Sequence, residues 1–186
     1  SITKVFTAIL IAETVNEGLV SPKSSATKYL AQETRLDDKI SVMNLITHHS
    51  GLPRVPDNIF TLTDYFDLTF IKNPYSNYSK KDLYDFLQSS NSNSTLYGSY
   101  EYSNLGYSLL SRILVEETGE SYEQLLKTNI TQKLNMPSTK INLSENEEQR
   151  LAQGYTGNFG RLPGVYYTAS PWQMPLFEGT GSLFST

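Results

Sequence analysis

A chain of 186 residues, 38% hydrophobic and 18% charged, suits one domain or a large piece of one, with a core and a surface that leans on uncharged polar groups. Its net charge of −4 comes with no basic run, which argues against nucleic acid or a polybasic membrane patch as partner. The absence of cysteine excludes disulfides, thiolate catalysis and Cys-based metal sites, and no apolar run approaches the ~20 residues of a membrane span.

In chain order, Ser1-Ile2-Thr3-Lys4 leads into the apolar stretch Val5 to Ala12. The pattern predicts a first helix over residues 2–17, stopped by Gly18 in the left-handed conformation. It is apolar nearly all round, which implies a buried central helix. Ser21-Pro22 breaks the chain, and a short helix is expected from Ser24 to Gln32. Ser41 caps a further helix within residues 40–47, which ends before the turn His48-His49-Ser50-Gly51-Leu52-Pro53. Residues 54–78 lack periodicity and read as irregular. Ser79 and Asp82 form an N-cap signature for a helix through Gln88. The Ser/Asn-rich run from Ser89 to Ser99 reads as a loop. Leu105 to Thr118 reads as a helix ended by Gly119, and Ser121 with Gln124 caps another that reaches Ile130. From Asn142 onward, Gly, Pro and aromatics indicate loops and short strands. No internal repeat is visible, and helix dominates.

Two spacings carry chemistry. In Ser1-x-x-Lys4 the residues i and i+3 share a helix face, so the lysine amine can reach the serine hydroxyl. A helix N-terminus also presents unpaired N–H groups and a positive dipole end, which favour a developing oxyanion. This is the arrangement of an acyl-transferring serine enzyme, although a serine ahead of a helix also serves as an ordinary N-cap. The second spacing, Tyr102-Ser103-Asn104, sets two polar side chains at the mouth of the later helix. Its plain alternative is a buried tyrosine with a satisfied hydroxyl.

Taken together, Ser1-x-x-Lys4 and Tyr102-x-Asn104 resemble the hallmarks of class C β-lactamases and the related D-alanyl-D-alanine peptidases. Leu45-Ile46-Thr47-His48-His49-Ser50-Gly51-Leu52-Pro53 looks like the family's "LLTHTSGLP" segment. Leu134-Asn135-Met136-Pro137-Ser138-Thr139 looks like its "LGM-x-x-T" segment, and Gly179 to Thr186 like its "GAGGL-x-ST" stretch. The resemblance implies an α+β fold of the DD-peptidase/β-lactamase type. Residues 1–186 would form a partial domain, comprising the catalytic helix and helical lobe with few short strands.

The resemblance further implies that Ser1 is the nucleophile of an acyl-enzyme and that Lys4 eases its deprotonation. Tyr102 would act as general base or proton relay, helped by the adjacent lysine charge because a free phenol titrates near ~10. Asn104 would bond the substrate amide or orient Lys4. No cofactor or metal is implied. The partner would be a small-molecule or peptidoglycan-peptide substrate carrying a β-lactam, D-Ala-D-Ala or ester carbonyl, met in the periplasm or outside the cell. The family's third motif, Lys-Thr-Gly or His-x-Gly, does not occur in the chain; Lys127-Thr128-Asn129 lacks the Gly. The expectation is therefore an internal segment without its flanking strands, which buries its catalytic helix poorly and turns over little substrate. Two other readings stand beside it: an incomplete domain that binds peptidoglycan-like ligands or acts as scaffold, and an N-terminal nucleophile hydrolase. The latter needs a strand-rich sandwich where residues 2–17 read as helix.

Other residues have plainer readings. His48 and His49 lack a third metal ligand at sensible spacing and read as structural. Glu116 and Glu117 suit a solvated helix face. The sequons at Asn77, Asn93, Asn129 and Asn142 are explained by composition. Trp172 with Tyr166, Tyr167 and Phe177 could wall a cleft or pack a loop.

Overall fold

A computed structural model describes residues 1–30, 34–59, 73, 75, 77–89, 96–157 and 166–186, with the backbone alone at Tyr167. The expected end of the short helix at Gln32, residues 60–72 of the irregular stretch, most of the Ser/Asn-rich run with its sequon at Asn93, and the Tyr167 side chain lie outside the described residues.

Local signals set the helix ends. Helix α1 spans Thr3–Asn16. Gly18, at φ +77°, lets the chain turn so that the Leu19 and Val20 N–H groups donate back to the Thr14 carbonyl. In place of the expected helix from Ser24, a 3₁₀ turn forms over Ala26–Tyr29, capped by Ser25. Helix α2, Val42–Ile46, starts on a capping box between Ser41 and Asn44. Helix α3, Lys80–Gln88, starts on the Ser79–Asp82 capping box and buries Leu83, Tyr84, Phe86 and Leu87. Helix α4, Asn104–Thr118, is capped by the Ser103 hydroxyl and closed by left-handed Gly119. The ends at Gly18, Ser41, Ser79 and Gly119 are decided within about one turn of chain, so sequence suffices to place them.

Helix α5, Tyr122–Leu126, does not run on as α-helix to Ile130 but widens into a π turn over Lys127–Thr131. There the Thr128 hydroxyl donates to the Gln124 carbonyl at 3.0 Å, offering that carbonyl a partner outside the regular ladder. Helix α6, Glu145–Glu148, follows. Strands β1, Gly154–Gly157, and β2, Tyr166–Ala169, pair antiparallel with Gly154 opposite Ala169. Helix α7, Glu178–Gly181, closes the described order. Among the described residues no helix is long and apolar enough to cross a membrane.

Among the described residues, α4 is the most enclosed helix. It packs against α1, α2, α5 and α7, and Leu105, Leu109, Leu110, Ile113 and Leu114 are fully buried, each contributing about 1.5–3 kcal/mol. The inward face of α1 is partly polar: Thr3, Lys4, Thr7 and Thr14 are buried beside Leu10 and Ile11. Its apolar residues Ile2, Val5 and Ile9 are instead 79%, 60% and 42% exposed. Among the described residues α1 is therefore enclosed on one face only, in line with the expectation of a poorly buried helix and short of one buried all round. The inward face is taken by groups that need hydrogen-bond partners, and the apolar stripe falls on the opposite side.

Candidate active site

Ser1 and Lys4 meet at the start of α1 as the i, i+3 spacing requires. Lys4 Nζ lies 3.5 Å from Ser1 Oγ and donates to the Thr180 carbonyl at 2.9 Å. The Ser1 hydroxyl does not cap the helix: the N-cap position is Ile2, which makes no side-chain cap. Ser1 Oγ instead accepts a 2.8 Å hydrogen bond from the Tyr102 hydroxyl, a partner 101 positions away in the chain. The Lys4 and Val5 amides donate to the Ser1 and Ile2 carbonyls, so they are engaged within the turn rather than held ready for an oxyanion.

Tyr102 is set in place by the segment that follows α2. Glu101 N–H donates to the His48 carbonyl at 2.8 Å, and Ser103 N–H donates to His48 Nδ1 at 3.1 Å. The Ser103 hydroxyl donates to the Pro53 carbonyl at 2.8 Å and accepts from Gly106 N–H at 2.9 Å. Asn104 and Leu105 N–H groups both donate to the Arg54 carbonyl. The turn from His48 to Arg54 thus carries the mouth of α4, and with it Tyr102.

The site is rich in positive charge for its size. Lys4 is buried and lies 5.1 Å from the Tyr102 ring centroid and 5.5 Å from that of Tyr107. Among the described residues it has no carboxylate partner. Burial lowers its pKa, the Arg54 charge acts in the same direction, and Tyr102 opposes both. The Arg54 guanidinium carbon stands 5.4 Å from the Tyr102 ring centroid. For Tyr102 itself, burial works upward. The Ser1 hydrogen bond, the Lys4 amine and the Arg54 charge outweigh it and bring the phenol below its ordinary value. The arrangement thus sets a serine hydroxyl against a phenol held below its ordinary value, with the Lys4 amine alongside.

Asn104 is buried at the same mouth. Its Oδ1 has no hydrogen-bond partner among the described residues. It makes no bond to Lys4; the Thr180 carbonyl orients that amine instead. Gly179 and Thr180 are anchored in turn. Thr7 Oγ1 donates to the Gly179 carbonyl at 2.7 Å, and Thr180 Oγ1 donates to the Asn104 carbonyl at 3.1 Å.

Sequence reasoning did not foresee Thr180, Arg54 or His48 as neighbours of this site. The segments that hold them were legible as motifs, but which atoms face Lys4 and Tyr102 depends on how α1, α4 and α7 pack. His48 and His49 diverge: His49 Nδ1 pairs with the Thr47 carbonyl at 2.7 Å, whereas the His48 ring lies 4.5 Å from Tyr102. The aromatic quartet does not form one wall. Phe177 is a core residue against Tyr75 and Tyr78, and Tyr166 is exposed. A cleft of about 1080 Å³ beside α7 is lined by Trp172, Met174, Glu178 and Ser182. None of Ser1, Lys4, Tyr102 and Asn104 lines it.

The chain is similar to known proteins along its length. The family described as Beta-lactamase matches residues 1–186. A "Beta-lactamase" of Providencia stuartii is 28% identical over 160 residues, covering 83% of this chain and 36% of the relative. The "D-alanyl-D-alanine-carboxypeptidase/endopeptidase AmpH" of Escherichia coli K12 is 25% identical over 191 residues, covering 100% of this chain and 44% of that protein. In fold, a "Beta-lactamase/D-alanine Carboxypeptidase" of Yersinia pestis superposes with a TM-score of 0.77 at 23% identity, over 100% of this chain and 49% of its own. The chain thus spans less than half the length of each of these relatives.

Proposed function

The chain belongs to the Beta-lactamase family, and from that premise we propose that it carries the nucleophilic half of a serine acyl-transfer site. In this reading residues 1–186 are a partial domain, the catalytic helix with its helical lobe. Ser1 is the nucleophile, Tyr102 the base, Lys4 the charge that stabilises the Tyr102 phenolate, and Asn104 the partner of the substrate amide. The observation that carries this reading is the 2.8 Å contact between Tyr102 and Ser1 Oγ beside a buried lysine.

The chemistry follows from that contact. As phenolate, Tyr102 takes the Ser1 proton while Oγ bonds to the substrate carbonyl carbon. Collapse of the tetrahedral species breaks the carbon–nitrogen or carbon–oxygen bond, and Tyr102 returns the proton to the leaving group. Water then repeats the sequence: Tyr102 takes its proton, the ester to Ser1 breaks, and the proton returns to Oγ. The unpartnered Asn104 Oδ1 suits an N–H donor on the substrate, as an amide or peptide provides. The substrate class is a β-lactam, a D-Ala-D-Ala peptide or an ester. The first two place the enzyme outside the cytoplasmic membrane.

Burst kinetics on the full-length protein with nitrocefin and with a p-nitrophenyl ester test the reading. A burst equal to the enzyme concentration, lost in Ser1→Ala, is the expected result. Equal turnover by wild type and Ser1→Ala removes the nucleophile assignment. Tight reversible binding of peptidoglycan peptides without any burst would show a binding domain instead.

A further inference from the structure

We propose that His48 is the positioning residue of this site, a neutral imidazole whose Nδ1 accepts the Ser103 N–H and so holds Tyr102 against Ser1. The proposal rests on the acyl-transfer reading for its consequence, but its geometry stands independently. The backbone hydrogen bonds immediately flanking Tyr102 both end on His48: Glu101 N–H on its carbonyl, and Ser103 N–H on its ring. The same ring packs at 4.5 Å from Tyr102 and 5.1 Å from Tyr107. One side chain therefore fixes the backbone and the aromatic face of the residue that contacts Ser1.

The backbone of His48 is strained to make this possible. Its φ of +60° is one of two positive values among described non-glycine residues. A branched or bulky side chain rarely takes that conformation, and it persists where the surroundings over-determine it. Accepting an N–H requires a lone pair on Nδ1, so the ring proton is assigned to Nε2. Protonation would place Nδ1–H against Ser103 N–H, two donors facing one another, and the clamp would open.

The surroundings keep that proton away. Burial, then the Lys4 charge, then His49 all lower the His48 pKa. The titratable and charged groups around it are Lys4 from α1, Tyr107 from α4, Tyr100, Glu101 and Tyr102 from the segment before α4, His49 from its own turn, and Arg54 across the Tyr102 ring. Among these the cations outnumber the single carboxylate. The clamp is therefore closed at neutral pH and opens on acidification below the ordinary histidine value of ~6.5.

Three variants of the full-length protein separate this role from packing. The readout is the rate of covalent labelling of Ser1 by a fluorescent penicillin between pH 4.5 and 9. His48→Asn keeps an acceptor, tolerates positive φ and does not titrate. It should label within about tenfold of wild type at pH 7.5 and lose the acidic step that wild type shows. His48→Phe keeps the ring but not the acceptor, and should label about 10²-fold more slowly, as a misplacement of about 1 Å costs. Ser1→Ala should not label at all. An acidic step unchanged in His48→Asn, or wild-type labelling by His48→Phe, overturns the proposal. Should wild type itself fail to label, the acyl-transfer reading fails. Long-range ¹⁵N correlation at pH 7.5 then decides the clamp alone: an unprotonated Nδ1 on His48 sustains it, and a protonated Nδ1 refutes it.

Discussion

A lysine ammonium buried without a carboxylate partner costs stability, and among the described residues Lys4 is such a group. Its pKa in the folded chain lies below the unfolded value of 10.5, so between those values the unfolded state binds more protons and stability rises with pH. At neutral pH the charge is a burden, relieved only as pH climbs through the folded value. Lys4→Met should therefore abolish Ser1 labelling while raising the thermal midpoint, measured side by side in a melt and a labelling assay. A lower midpoint in the variant would show that the Thr180 hydrogen bond outweighs the desolvation. Arg54 tests the same electrostatics from the exposed side. Its charge helps lower the Tyr102 phenol, so Arg54→Gln should move the rising, base-dependent limb of the labelling profile to higher pH. A limb that stays in place would remove Arg54 from the account.

At the scale of elements, the short helix α7 is the hinge between fold and site, because its backbone rather than its side chains does the positioning. The Gly179 carbonyl takes the Thr7 hydroxyl and the Thr180 carbonyl takes Lys4. Gly179 is required by close approach: a Cβ there would stand 2.9 Å from both Ser111 Cβ and Thr7 Oγ1. Gly179→Ala should destabilise the protein by about 1–3 kcal/mol, as overpacking does, and should slow labelling as Thr180 moves away from Lys4. A denaturant melt with an unchanged midpoint would show that α7 can shift without cost. The helix ends themselves were legible beforehand. Ser41, Ser79 and Ser121 each accept an N–H from the residue three positions on, a bond contained in the sequence spacing. The π turn after α5 was not, because no single residue there announces it.

At the scale of the whole molecule, the exposed stripe Ile2, Val5 and Ile9 on α1 sits on the same helix as Ser1 and Lys4. Exposed apolar area of this kind binds hydrophobic probes. Residues 1–186 alone should enhance the fluorescence of anilinonaphthalene sulfonate, and replacing Val5 and Ile9 with Ser should reduce it at constant helical circular dichroism. Probe binding unaffected by both changes would place the sticky surface elsewhere. The sequence by itself determined the helix ends at Gly18, Ser41, Ser79 and Gly119, the Ser1–Lys4 contact and the pairing of motifs that pointed to the family, because caps and i, i+3 neighbours are settled within one turn of chain. Only the tertiary structure decided which face of α1 turns inward against α4, that the Thr180 carbonyl orients Lys4, and that Tyr102 hangs from His48. The Ser103–His48 and Lys4–Thr180 contacts join residues 55 and 176 positions apart. They depend on which faces of separate elements pack together, and no local pattern encodes that choice.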